Sequence, residues 1–127
     1  MDSTATPQTV KIAQAIATAE GFYTVGSRPA RNNNPGDVTQ DLIGKAIGMD
    51  GPFPVYATAA DGWANLYAQI NAWLEGNSAH ATADSTITDI SQFYTTDSPP
   101  GAQNAWAINV ANAAGITVDT PIGQVSG

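Results

Sequence analysis

Residues 58–75 (TAADGWANLYAQINAWLE) carry the strongest helical pattern in the sequence. The large apolar side chains of this stretch recur at intervals of three and four residues, a spacing that places them on one face of an α-helix. They are Trp63, Leu66, Tyr67, Ile70 and Leu74. Thr58 and Asp61 are spaced as in a capping box, so we expect the helix to begin there. A polar loop over residues 76–85 is expected to follow it.

A second helix is predicted upstream, over residues 7–20. Thr6 is a suitable N-cap residue, and Pro7 fits the first helical position, where no backbone N–H is needed. Gly21 follows as a residue that can adopt the left-handed conformation at the helix end. Residues 1–6 then form a polar tail.

Glu20 is the most distinctive candidate for chemistry in this helix. Ile12, Ile16 and Glu20 recur every four residues, which aligns the carboxyl group with two apolar side chains at the last turn. A partly desolvated carboxyl group holds its proton more strongly, and a protonated carboxylic acid can donate to a glycosidic oxygen. The alternative is an exposed glutamate at a helix end, and periodicity alone leaves both interpretations open.

Residues 22–57 hold most of the turn signals and predict a small β region, with extended pieces near residues 37–40, 45–49 and 53–57. Within it lies the segment 31–37 (RNNNPGD). Its asparagines, Asn32, Asn33 and Asn34, can bind sugar hydroxyl and acetamido groups or can shape the turn. Asp37 is a candidate second carboxylate opposite Glu20.

The C-terminal third predicts two more helices. A short helix starts at Ser85 or Thr86, and a loop follows over residues 95–101. The residues expected to face inward in this short helix are Ile87, Ile90 and Tyr94. In the last helix they are Trp106, Val110 and Ala113, with Gly115 closing it. We expect residues 116–127 to lie over the surface. The fold class is therefore α+β, mainly helical, in one domain of residues 1–127 with tails at 1–6 and 120–127.

Composition excludes several classes of function. The 127 residues include eleven acidic and four basic ones, a formal net charge of −7, so nucleic acid is a poor partner. There is no cysteine and one histidine, His80, which argues against a metal centre or a Ser-His-Asp triad. No stretch approaches the roughly 20 apolar residues of a membrane span. The N-terminus lacks signal-peptide features, as expected for a protein without one or for a mature form that begins with an added Met1.

Aromatic residues are candidates for stacking on sugar rings. Phe22, Tyr23, Tyr56, Trp63 and Trp106 are the ones considered. The helical pattern of residues 58–75 instead favours a place in the core for Trp63.

Four segments, taken in order, resemble the lysozyme-like muramidases, above all the phage virion lysins and the bacterial lytic transglycosylase-like proteins. They are residues 19–22 (AEGF), 31–37 (RNNNPGD), 53–56 (FPVY) and 61–66 (DGWANL). The later short helix, the proline-bearing loop and the final helix ending in glycine resemble the second half of that group. The resemblance covers residues 9–122 and depends on the order and spacing of several motifs.

The resemblance implies a lysozyme-like fold in which a saccharide groove lies between the helices and the small β region. It implies that Glu20 is the catalytic acid. Asp37 is the candidate second catalytic residue, although the matching motif often ends in Asn in that group. The residues expected to bind or orient the substrate are Phe22, Thr24, Asn32, Asn33, Asn34 and Tyr56.

The implied reaction is cleavage of the β-1,4 bond between N-acetylmuramic acid and N-acetylglucosamine in peptidoglycan, with no metal or organic cofactor. A muramidase releases reducing sugars, whereas a lytic transglycosylase releases 1,6-anhydro products. A non-catalytic wall-binding or virion structural module on the same fold is the alternative from another class. A secreted or virion-associated monomer is expected, with peptidoglycan glycan strands as its partner.

Overall fold

The computed structural model describes residues 2–95 and 101–127, which form a mainly helical α+β fold with a small antiparallel sheet. In chain order, the elements are α1 (Pro7–Glu20), α2 (Arg28–Arg31), β1 (Gly48–Asp50), β2 (Phe53–Val55), α3 (Ala59–Leu74), α4 (Ile87–Tyr94), α5 (Ala102–Ala114) and a 3₁₀ turn (Ile122–Gln124). The α+β class predicted from the sequence is confirmed.

Helix α1 has the predicted limits because both of its ends are capped. The side chain of Thr6 accepts a hydrogen bond from the backbone N–H of Thr9. At the other end Gly21 adopts the left-handed conformation (φ 78°), and its N–H bonds the carbonyls of Ala17 and Thr18. The chain therefore turns sharply away directly after Glu20.

The core lies between the four longer helices. Helix α1 packs on α3 and α5, and α4 packs on α5. The fully buried large side chains include Ile12, Ile16, Leu66, Ile70, Trp73, Ile87, Ile90, Val110 and Ile122. Burial of such a side chain stabilises a fold by roughly 1.5–3 kcal/mol. Trp73 lies outside the set of apolar residues from which α3 was predicted, yet it is completely buried.

The β region is smaller than predicted. The two strands pair antiparallel, with Gly48 opposite Val55 and Asp50 opposite Phe53. The extended piece predicted at residues 37–40 is wrong, because the chain turns there. Asp37 has a φ of 49°, in the left-handed region, which lies outside the extended conformation of a regular β-strand.

Helix α2 was not predicted, although its start carries recognisable signals. Ser27 is the N-cap, and its side chain accepts a hydrogen bond from the N–H of Ala30. Pro29 occupies the first turn, where proline is tolerated. Four residues are too few to show helical periodicity, and the sequence predicts turns and a small β region for the whole of residues 22–57.

Helix α4 begins as predicted, whereas α5 and the C-terminal segment differ in detail. Thr86 and Asp89 form a complete capping box at the start of α4. In α5, Trp106 and Val110 are buried as predicted, whereas Ala113 is exposed and the neighbouring Ala114 is buried. Of the loop predicted over residues 95–101, residues 96–100 lie outside the described residues.

The segment 116–127, predicted to lie over the surface, instead contributes to the core. Ile122 is completely buried and Val125 is 4% exposed. The side-chain amide of Gln8 donates to the carbonyls of Gly123 and Val125, at 2.9 and 3.1 Å. Two apolar side chains and these hydrogen bonds attach the segment to α1.

Candidate active site

A cleft of about 610 Å³ lies where α1, α4 and α5 meet the β region. Its lining combines two carboxyl groups, one guanidinium group and several aromatic rings. The residues that define its chemistry are Glu20, Arg28, Asp37, Phe53, Phe93, Tyr94, Trp106 and Asn109. The structure thus brings together the two predicted catalytic residues, Glu20 and Asp37, in one cavity.

Glu20 reaches the cleft from the last turn of α1, where it is partly buried. Tyr94, from α4, lines the same cleft near Glu20 and Asp37. Burial, together with the charges of Glu20 and Asp37, raises the pKa of Tyr94 well above its ordinary value. The hydroxyl of Tyr94 therefore stays protonated and donates a hydrogen bond of 2.5 Å to the carbonyl of Gly36.

Asp37 is brought to the cleft by a tight turn that Asn34 holds closed. The side-chain amide of Asn34 donates to the carbonyls of Val38 and Pro54, at 2.9 and 3.1 Å. The side-chain oxygen of Asn34 accepts from the N–H of Val38 at 3.0 Å. Since Pro54 belongs to β2, these bonds fix the turn relative to the sheet.

Gly36 lies where a side chain would displace two packed neighbours. A Cβ atom at this position would lie 2.6 Å from a methyl group of Leu66 and 2.8 Å from the hydroxyl oxygen of Tyr94. The absence of a side chain therefore lets the turn approach α3 and α4, and Asp37 follows directly.

Asp37 is paired with Arg28 from α2. The Nε atom of Arg28 donates to both carboxylate oxygens, at 2.9 and 3.2 Å, and a terminal nitrogen contacts one of them as well. The guanidinium group also stacks over the ring of Phe53, 3.8 Å from its centroid. Because the carboxylate of Asp37 is only 5% exposed, this pair fixes its position and balances its charge.

The three asparagines do not line the cleft within the described part of the chain, and their amide groups make bonds inside the fold. Asn32 donates to the carboxylate of Asp50 at 3.1 Å. Asn33 donates to the carbonyl of Tyr56 at 3.0 Å. With the three bonds of Asn34, these contacts match the turn-shaping interpretation that the sequence left open.

Tyr56, Thr24 and Phe22 also lie away from the lining described for the cleft. Tyr56 is 1% exposed, and its hydroxyl donates to Asp41 at 3.1 Å. Burial and the carboxylate of Asp41 raise the pKa of Tyr56. Thr24 is exposed in the loop after α1, and Phe22 packs against Trp63 with ring centroids 5.5 Å apart. A role in sugar binding at the cleft therefore receives no support from these positions.

A smaller cavity of about 170 Å³ adjoins the cleft and extends towards His80. The two cavities share Asp37, Thr39, Phe93 and Tyr94 in their linings. The exposed ring of His80 stacks on Phe93 with centroids 5.3 Å apart. The groove past Asp37 is therefore longer than the main cavity alone.

Several residues of the cleft were not predicted. Arg28 had no signal that linked it to a site, and Phe53 was noted only as part of the segment 53–56 of the resemblance. Tyr94 was expected only on an apolar helix face, and it both packs against the core and lines the cleft. A tyrosine on such a face was the available hint, because its hydroxyl group needs a polar partner when buried. Trp106 is the one aromatic candidate for sugar stacking that does line the cleft, and it packs in the core as well.

Within residues 2–95 and 101–127, no group of three or more His, Asp or Glu side chains is arranged to hold a metal ion. No helix in the same ranges is long and apolar enough to cross a membrane.

Comparisons with protein-family models, curated proteins and solved structures give no match.

Proposed function

We propose that this protein is a peptidoglycan-cleaving glycosidase of the lysozyme-like type, which cleaves the β-1,4 bond between N-acetylmuramic acid and N-acetylglucosamine. The observation that carries the proposal is the presence of Glu20 and Asp37 in one cleft of about 610 Å³. Such a volume is typical of ligand-binding clefts. The aromatic rings in the lining provide apolar surfaces for sugar rings. Secretion or delivery on a virion is part of the proposal, because the substrate is in the cell wall.

Glu20 is assigned as the general acid. It is the last residue of α1, where the partial negative charge of the helix end disfavours a further negative charge. A group that donates a proton to the leaving oxygen must hold that proton until the substrate binds. As the glycosidic bond breaks, positive charge develops on the sugar ring, and the Glu20 carboxylate then faces it.

Asp37 has a more restricted role. Arg28 already donates to both of its oxygens, so the carboxylate is held rigidly and its charge is balanced. A carboxylate in such a pair is a weak base and a weak nucleophile. Orienting the substrate therefore suits Asp37 better than activating a water molecule.

The same pair favours a second candidate function, that of a lytic transglycosylase. In that reaction the 6-hydroxyl of the muramic acid attacks its own ring carbon, and Glu20 accepts the hydroxyl proton as base. One catalytic carboxyl group is sufficient for this route. The fold and the cleft would be the same, and only the product would differ.

The test is digestion of purified peptidoglycan, with the fragments identified by mass spectrometry. We expect wild-type protein to release muropeptides and Glu20→Gln to lower the rate by about 10²–10⁴-fold, the usual contribution of a general acid. Glu75→Gln is the matched control, because Glu75 is the other glutamate in the sequence and is exposed after α3.

The products then distinguish the two reactions. Reducing muramic acid ends identify a muramidase, and anhydro ends identify a lytic transglycosylase. Full activity of Glu20→Gln would refute the assignment of the acid. No fragments from wild-type protein would refute the enzyme, and a wall-binding module would then be the remaining interpretation.

A further inference from the structure

Four aromatic residues form a continuous cluster, the aromatic face, outside the lining described for the cleft. The members are Phe22 and Tyr23 from the loop after α1, and Trp63 and Tyr67 from α3. Phe22 packs edge-on against Tyr23 and Trp63, with centroids 5.3 and 5.5 Å apart. The rings of Trp63 and Tyr67 lie nearly parallel, at an angle of 27° and 6.0 Å apart. One turn of α3 thus continues the row that begins just after Glu20.

The aromatic face is anchored on one side and open on the other. Trp63 and Tyr67 are partly buried and pack against the core. Tyr23 is 62% exposed, and Val25 beside it in the loop is 99% exposed. The rings have fixed positions because they pack on each other, so a ligand would not need to order them on binding.

The polar groups of the aromatic face are two phenol hydroxyls. Neither the hydroxyl of Tyr23 nor that of Tyr67 makes a hydrogen bond to any residue in the ranges the structure describes. Burial and the proximity of Tyr23 raise the pKa of Tyr67, so its hydroxyl keeps a proton to donate. The aromatic face therefore offers apolar rings together with neutral hydrogen-bonding groups.

This combination indicates the chemistry of the ligand. The face itself contains no charged side chain, and the chain has a formal net charge of −7. Three of the four basic side chains lie within 4 Å of a carboxylate: Arg28, Arg31 and Lys45. The aromatic face therefore offers no cation to an anionic group, and the part of a ligand that contacts it should be neutral. A pyranose ring has apolar C–H faces and neutral hydroxyls at its edge, which match aromatic rings flanked by phenol groups.

We propose that the aromatic face is a second, non-catalytic glycan-binding site, which holds a polysaccharide chain of N-acetylated sugars against the protein surface. The identity of that polysaccharide as peptidoglycan rests on the proposed function. Phe22 is two residues from Glu20, so their Cα atoms are at most about 7 Å apart. A glycan bound at the aromatic face therefore lies close to the cleft, which raises the local concentration of substrate at Glu20.

The test measures retention on insoluble peptidoglycan freed of anionic wall polymers, with every variant made in the Glu20→Gln background so that the substrate is not digested. We expect Tyr23→Ala to weaken binding by about tenfold, as the loss of one aromatic contact does. Tyr67→Phe keeps the ring and removes one hydroxyl, and we expect a loss of about threefold. Ile47→Ala is the matched control, because Ile47 is 68% exposed and lies outside the aromatic face.

Binding to neutral sugars should change little between 0.05 and 0.5 M salt, unlike binding through charges. Equal retention of Tyr23→Ala and Ile47→Ala would overturn the proposal, as would no retention of any variant. Sedimentation tests whether the protein self-associates. Self-association that is lost in Tyr23→Ala would identify the aromatic face as a subunit interface and would also overturn the proposal. Failure of wild-type protein to cleave peptidoglycan refutes only the proposed enzyme, since Tyr23-dependent retention can persist without turnover.

Discussion

Replacing Asn34 with alanine tests whether one side chain holds the turn that carries Asp37. Asn34 is completely buried and makes three hydrogen bonds, two with Val38 and one with Pro54. Each bond contributes roughly 1 kcal/mol net, and the substitution leaves three buried backbone groups without these partners. We therefore expect Asn34→Ala to lower the free energy of unfolding by about 3 kcal/mol. For a chain of 127 residues this corresponds to a fall in Tm of about 11 °C.

The measurement is thermal unfolding followed by far-ultraviolet circular dichroism, with a urea titration to give the free energy. Asn112→Ala is the matched control, because Asn112 is exposed on α5 and surface substitutions change stability by about 0.5 kcal/mol, or about 2 °C here. If Asn34→Ala lowered Tm no more than Asn112→Ala did, the three bonds would not hold the turn. The account of how Asp37 reaches the cleft would then be refuted.

Two further predictions follow from the packing and the charges. Gly62→Ala should lower the free energy of unfolding by about 3 kcal/mol in a urea titration, because the new Cβ would lie 1.7 Å from the carbonyl oxygen of Asn33. Gly48→Ala is the control, since the space around Gly48 is open, and it should change the free energy of unfolding by less than about 1 kcal/mol. Equal losses in the two variants would contradict this prediction. The raised pKa of Tyr94 predicts lower stability at alkaline pH. As the pH rises, the unfolded chain releases the phenol proton near pH 10, whereas the folded chain still holds it. The free energy of unfolding should therefore fall by up to about 1.4 kcal/mol per pH unit above pH 10. Tyr94→Phe should make that fall less steep in urea titrations at pH 9 to 11, and an unchanged slope would count against the burial of the phenol.

The four longer helices were predictable from sequence, and local signals set the limits of α1 and the start of α4. The caps at Thr6 and Thr86 depend on neighbours three residues away, and Gly21 ends α1 through its own conformation. The extended piece predicted near Asp37 was wrong for the opposite reason. The turn there depends on a bond from Asn34 to Pro54, which is 20 residues away.

The candidate site was predictable at Glu20 and Asp37, the two carboxylates singled out by position in the sequence, and at Trp106, one of the aromatic candidates for sugar stacking. The residues that define their surroundings come from other elements. Arg28 reaches Asp37 from an unpredicted helix, and Tyr94 reaches Gly36 across 58 residues. Such long-range contacts have no periodic signal. The asparagines before Asp37 illustrate the same limit, because turn-shaping and sugar-binding asparagines look identical in a sequence.

The charges of the cleft constrain how this protein would hold the proposed glycan substrate. The guanidinium group of Arg28 is engaged with Asp37, and the hydroxyl of Tyr94 is kept neutral by burial between two acidic residues. A substrate can therefore gain little from ionic attraction at the cleft, and the strongly acidic chain gives no long-range attraction to anionic walls. Affinity must then come from stacking and neutral hydrogen bonds. The aromatic lining of the cleft supplies both, and the aromatic face of Phe22, Tyr23, Trp63 and Tyr67 extends the same chemistry beyond it. Weak salt dependence of both binding and turnover is the consequence.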